Sequence, residues 1–327
     1  MIKLAIDFGT AQTKIYRLGS GIVLAEATCL SVQKDTGEIR SYGDEAKRVL
    51  GKTSEFTEVV FPVYEGDIVN ERYAGALLEY FLGKVTARSA IEALFCVPCA
   101  CTVQSRERYY RAAKAAGISR VSFVEVPYLS ALGQDIPLSE SNPAFVLDIG
   151  AGKASMAAFS LDGIIAGMTM NVGGGNIDRH IIDHVAEKFD LQIGAISSEK
   201  LKTTVGSLLE NDDRACLVHG RDVRTGRPRS ASISSGDILF PVQVYIDKIL
   251  EYADLLIKRL PEEVAATLCK TGIALSGGVC CLSGFAEYVS KKLQNEAHLA
   301  SDPVTCAVLG GGRAVGNAAL LQKIEMR

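Results

Sequence analysis

Asp148 stands before two glycines in the stretch Phe145-Val-Leu-Asp-Ile-Gly-Ala-Gly-Lys-Ala-Ser-Met156, and residues of these types in this order can hold a phosphate. Residues 145–147 are an apolar run that reads as a buried strand, which Asp148 ends. Gly150, Ala151 and Gly152 make a tight turn, and residues 153–159, from Lys153, read as a returning strand. Glycines let backbone N–H groups converge on phosphate oxygens, and the acid sits where a hydrated Mg²⁺ needs a carboxylate. The same device opens the chain: Leu4-Ala-Ile-Asp-Phe-Gly-Thr-Ala-Gln-Thr-Lys-Ile-Tyr16 carries Asp7 and then Gly9. Two copies, over a hundred residues apart, point to two similar half-molecules facing one nucleotide.

Other candidates fit around this pair. Gly173-Gly-Gly175 precedes a helix whose first N–H groups would point at a ligand, and Asp178 either caps that helix or reaches a ribose. Glu199 and Lys202 stand three apart on a helix, where the plain reading is a surface ion pair. Gly277 and Gly278 allow backbone to lie close to a ligand. His180 and His184 share a helix face, but a metal needs a third ligand, and the pair falls on the back of a core-facing helix. Arg221, Arg224, Arg227 and Arg229 lack the interleaved aromatics of a nucleic-acid surface and read as a solvated hairpin or a subunit contact.

Composition narrows the class. At 327 residues the chain is long for one core and fits two α/β lobes. A net charge of −3 gives no field that would draw nucleic acid or an anionic membrane to the whole molecule. No apolar run approaches a membrane span and no signal-peptide pattern precedes the first strand, so a cytoplasmic protein is expected. Nine cysteines without framework spacing read as reduced thiols, including the cluster Cys96, Cys99 and Cys101.

The elements that must position these residues follow from periodicity. Strands are expected over 2–8, 13–18, 21–27, 93–97 and 121–124, and helices over 73–82 and 104–116, with Pro127 opening another over 128–133. A small insertion covers about 31–60, a loop spans 61–67, and 136–143 reads as a linker. The order then repeats. Strands run to Met170, and the helix after Gly175 carries Ile177, Ile181, Val185 and Phe189 on one face. An insertion covers about 190–236, a long helix opened by Pro241 spans 242–260, and a strand covers 273–275. The reading is a first lobe over 1–142, a second over 143–312, and a C-terminal helix over 313–327 that returns to the first lobe. Each lobe is expected to be an α/β domain around a mixed sheet.

In this order the blocks resemble the actin-like ATPase superfamily, whose lobes have a ribonuclease H-like fold, and within it the bacterial actins of the MreB and MamK type, over essentially the full length. Asp7-Phe-Gly-Thr-Ala-Gln-Thr13 resembles the first phosphate loop and Asp148-Ile-Gly-Ala-Gly152 the second. Glu125-Val-Pro-Tyr-Leu-Ser-Ala-Leu-Gly133 and Pro303-Val-Thr-Cys-Ala-Val-Leu-Gly-Gly-Gly312 resemble the two connecting segments, and Ile273-Ala-Leu-Ser-Gly-Gly278 the adenosine loop. Pro62-Val-Tyr-Glu-Gly-Asp-Ile-Val69 and Gly220-Arg-Asp-Val-Arg-Thr-Gly-Arg-Pro228 are more particular to MreB.

The resemblance implies a site that binds ATP or ADP with Mg²⁺. Gly9, Thr10, Ala11, Gln12 and Thr13 would offer donors to the phosphates, with Lys14 beside them; strand alternation alone leaves Lys14 free to face either way. Asp7 and Asp148 would hold Mg²⁺ through water. Glu199 and Lys202 would reach ribose and adenine edges, and Val279 replaces a glycine in the adenosine loop. The implied function is a filament of head-to-tail subunits, with paired protofilaments as one form, that scaffolds cell shape or organelle position. A non-polymerising nucleotide-binding regulator or chaperone-like adaptor of the same fold is the alternative. A small-molecule kinase would need a substrate-binding insertion, and the chain shows none. A weak membrane contact would come from Val85 and Ile91 in the loop over 84–92, multiplied along a filament.

The connecting helix and the second phosphate loop depart from the family. Its connecting helix begins Glu-Pro, and that glutamate positions the attacking water. Here Val126 precedes Pro127, and the acid is one place earlier, at Glu125, the catalytic candidate with Asp148. Lys153 and Ala154 stand where hydroxyl residues are usual. Tight ATP binding with slow hydrolysis is expected.

Overall fold

The computed structural model describes residues 1–86, 89–138, 142–161 and 163–326. Its frame is two five-stranded sheets with one strand plan. In the first, Ile2–Phe8 and Gln12–Arg17 pair antiparallel and Gly21–Ala27 extends that edge. Ile91–Val97 and Arg120–Glu125 extend the other edge in parallel. In the second, Ala144–Ile149, Ala154–Ser160, Gly163–Met170, Ile273–Ser276 and Ala297–Leu299 take the same places in the same directions.

Alternation along the central strand sorts its side chains into two cores. Leu4, Ile6 and Phe8 pack with the helices Glu71–Val85 and Val103–Ala115, while Ala5 faces Leu94, Leu129, Val146 and Ala314 between the two sheets. That inner layer holds the helices Val126–Gly133 and Cys306–Gly316, which cross at glycines. A Cβ on Gly133 would strike the Cys306 carbonyl, and one on Gly310 the Leu129 carbonyl. Gly311 and Gly312 then bring the second helix onto Ala5 and Tyr16. The C-terminal segment thus meets the first sheet before residue 313, and the helix Ala318–Ile324 follows.

The two insertions are small sheets with a helix each. The first contains Leu30–Gln33, Ile39–Tyr42, Thr57–Val60 and the helix Gly43–Arg48. The second contains Leu191–Gln192, Ala215–Asp222, Pro228–Ser234 and the helix Ala195–Val205. Helices Glu262–Thr271 and Phe285–Leu293, beyond those expected, flank the strand Ile273–Ser276 in the chain.

Two expectations are corrected. The long helix runs Ser235–Lys258, with Pro241 inside it. A reciprocal cap between Ser234 and Asp237 starts it early, and Ile238 and Pro241 are both buried, which offsets the hydrogen bond a proline cannot make. Val85 and Ile91 are 8% and 6% exposed, so neither is available to a bilayer; residues 87 and 88 of that loop lie outside the described residues. Residues 139–141 of the expected linker do so too, as does Arg327. Among the described residues no helix is long and apolar enough to cross a membrane. All nine cysteines are free thiols. His180 and His184 pack against Phe240, and no group of three metal-ligating side chains occurs among the described residues.

Candidate functional site

A cleft of about 380 Å³ lies between the sheets. Gly9, Thr10, Ala11, Gln12 and Lys14 line one wall with Asp7; Gly150, Ala151, Gly152 and Lys153 line the other with Asp148. Gly174, Glu199, Lys202, Gly277, Gly278 and Val279 complete it. The structure adds Lys47, Ser155, Thr203 and Val126 to the lining.

In the first hairpin Asp7 pairs directly opposite Lys14 across the strands. Their side chains form an ion pair of 3.1 Å, so Lys14 faces inward. Burial opposes the Lys14 charge, but Asp7 and Asp148 outweigh it and raise its pKa. Thr13, between the inward-facing Gln12 and Lys14, points the other way. It is fully buried and its hydroxyl lies 2.8 Å from that of Thr28, which corrects its expected role as a side-chain donor to phosphate.

In the second hairpin Asp148 pairs opposite Ser155. Its carboxylate accepts hydrogen bonds from Ser130 at 3.0 Å and Ser276 at 2.6 Å. Burial pushes the Asp148 pKa up and Asp7 adds to this, against the two hydroxyls and Lys14. Its direct partners are neutral hydroxyls, and it lines the cleft. This donor set fits a hydrated divalent cation, which binds carboxylate through its own water.

Close backbone approach explains the glycines here. A Cβ on Gly152 would meet Glu65 and Gly66 as well as the Thr10 hydroxyl, and Thr10 accepts the Gly66 N–H at 2.8 Å. Gly66 in turn lies under the Lys153 stem. Among the described residues, Lys153 is the cleft lysine without a carboxylate partner. Gly277 has φ +88° and leaves no room for a Cβ against Ile149.

Three further assignments change. The N–H groups of Gly174 and Gly175 donate to the carbonyls of Gly150 and Ala151 at 3.0 and 2.8 Å, and Gly173 is capped by Asn176. These donors brace the glycine turn of the second hairpin rather than pointing into the cleft. Glu199 and Lys202 do not pair with each other. Lys202 bonds Asp178 at 2.8 Å and the Gly174 carbonyl at 3.0 Å, while Glu199 pairs with Lys47 at 2.8 Å. Burial raises the Asp178 pKa against the pull of Lys202, and Asp178 stands behind Lys202, off the cleft wall.

Glu125 also stands off the cleft. Its carboxylate accepts the Ala100 N–H at 2.6 Å, and its nearness to Cys99 adds to the burial that pushes that thiol up to about 12. Val126 takes the place on the cleft wall. The catalytic assignment of Glu125 is therefore withdrawn: the one-residue offset turns its side chain toward the loop at Ala100.

The MreB/Mbl protein family model matches residues 1–323. The cell shape-determining protein MreB of Escherichia coli (strain K12) is 30% identical over 321 residues, covering 95% of this chain and 92% of its own. The cell shape-determining protein Mbl of Bacillus cereus is 28% identical over 328 residues, covering 99% and 98%. MreB5 of Spiroplasma citri bound to AMPPNP superposes with a TM-score of 0.92 at 25% identity, covering 99% and 98% of the two chains. The MamK double helical filament gives a TM-score of 0.82 at 19% identity over 97% and 99%, a likeness of fold. The mixed α/β architecture is thus the actin-like fold, and the chain belongs to the MreB/Mbl family.

Proposed function

We propose that this chain is an ATP-binding bacterial actin homologue that polymerises into cytoskeletal filaments serving cell shape or the positioning of cellular structures. The observation that carries this reading is the repeated hairpin: two acids, each followed by a glycine turn, face each other across one cleft. A nucleotide's phosphates fit between the turns, with its base toward Gly277, Gly278 and Val279. The Spiroplasma citri MreB5 structures bound to AMPPNP and to ADP support a nucleotide as the ligand.

Asp148 would hold Mg²⁺ through water, with Asp7 nearby; when bound, the ion neutralises phosphate charge. Lys14 and Lys153 supply further positive charge from opposite walls. Hydrolysis also needs an oriented water. Val126 is aliphatic and Glu125 is engaged by Ala100, so ATP turnover is slow. One heterologous contact repeated without closure generates a head-to-tail filament. The E. coli and B. cereus relatives are named cell shape-determining proteins, and MamK forms a double helical filament. Sedimentation and electron microscopy with ATP and Mg²⁺ test the reading. Filaments are expected; strict monomers in every nucleotide state and at every concentration would replace it with a non-polymerising nucleotide-binding regulator.

A further inference from the structure

We propose that Lys47 and Glu199 form a latch across the mouth of the cleft that slows nucleotide release. The inference rests on the nucleotide-binding reading and adds a gate to it. The two residues are 152 positions apart and come from opposite sides of the cleft, both lining it. Lys47 Nζ lies 2.8 Å from one Glu199 carboxylate oxygen and 3.1 Å from the other.

Each partner sits on a fixed support. Lys47 belongs to the helix Gly43–Arg48, whose Ala46 is buried against Ala27 and Cys29. Asp44 accepts the Ala27 N–H at 2.9 Å, and the Gly43 N–H donates to Cys29 at 2.8 Å, which tie that helix to the edge of the first sheet. Glu199 belongs to Ala195–Val205, where Ser198 bonds the Asp178 carbonyl at 2.7 Å and Lys202 bonds the Asp178 carboxylate. Neither side chain is a loop group that has drifted into range.

The glycine crossing of the two connecting helices lies in the inner layer between the sheets and is the hinge of this proposal. Opening about that crossing separates the mouth first. Besides the approach of Gly152 and Lys153 to Gly66, the Arg179 guanidinium above the Tyr64 ring, 5.9 Å away, is a further contact between the two sides. Lys47 and Glu199 are 35% and 40% exposed, so the latch is weak and salt-sensitive. Its removal is expected to speed release roughly two- to five-fold, in keeping with an exposed ion pair.

Release of a fluorescent ATP analogue, followed by stopped flow with the full chain and Mg²⁺, reads this directly. Lys47→Ala should release faster than the wild type at low salt, and Lys47→Glu faster still. Both residues line the cleft, so the reversed pair Lys47→Glu/Glu199→Lys is compared with each single reversal and should be slower than both. Added salt should bring the wild-type rate up to that of Lys47→Ala. Binding of the analogue with equal release from the wild type and Lys47→Ala overturns the latch alone. No binding by the wild type overturns the nucleotide reading, and the latch falls with it.

Discussion

The two acid–glycine hairpins have the same spacing and different charge balance. Asp7 faces Lys14 and Asp148 faces Ser155, each pair in direct register across an antiparallel turn. In the first, the acid is neutralised within its own hairpin at 3.1 Å. In the second, the hydroxyls of Ser130 and Ser276 solvate the acid without cancelling its charge. One duplicated scaffold thus carries an acid paired with a lysine on one wall and an acid bonded by hydroxyls on the other.

The largest effect comes from breaking the neutralised side. Lys14→Met leaves Asp7 without its cation in a largely buried place, and should cost about 3 kcal/mol of stability, measured by denaturant unfolding without nucleotide. A loss below about 0.5 kcal/mol would mean that the pair does not neutralise the wall.

A smaller effect tests how the charge is used. Val126→Glu places an acid where the connecting helix meets the cleft and should raise phosphate release about tenfold, less than the roughly 10²–10⁴-fold of a fully placed group because the surrounding wall is built for a valine. Glu125→Ala should leave phosphate release unchanged, since that carboxylate serves the Ala100 N–H. A fall in release for Glu125→Ala would restore the acid to the site.

The smallest effect is a pH dependence. The raised Asp148 pKa means that the native chain holds this proton more tightly than the unfolded chain. Its contribution to stability without metal therefore falls as pH rises from the usual carboxylate value through the raised one. Cation binding needs the ionised form, so the Mg²⁺-dependent part of ATP affinity should weaken as pH drops through the raised value, by less than about tenfold per unit for one proton. Asp148→Asn should flatten that profile.

The sequence revealed what is local. Apolar runs ending in an acid and a glycine marked both hairpins, and the expected strand 21–27 is Gly21–Ala27 to the residue. Alternation could also have turned Thr13 away from the cleft, once Asp7 and Lys14 were taken as facing partners. The seven-residue step from Asp7 to Lys14 recurs from Asp148 to Ser155, a signal that would have found Ser155. Partners distant in the chain were hidden. Ser276 lies 128 residues from the Asp148 it bonds, and the apparent pair Glu199 and Lys202 divides between Lys47 and Asp178 because helix direction sends the two side chains to different neighbours. The burial of Val85 and Ile91 depends on tertiary packing that no local window shows.

The division of labour between the two acids is tested most directly by titrating ATP with and without Mg²⁺ into the wild type, Asp7→Asn and Asp148→Asn. The gain in affinity on adding Mg²⁺ should be lost about ten- to a hundredfold in Asp148→Asn, as expected for a charged contact, and largely retained in Asp7→Asn. Equal losses in the two variants, or a larger loss in Asp7→Asn, would contradict the assignment of the cation to the second hairpin.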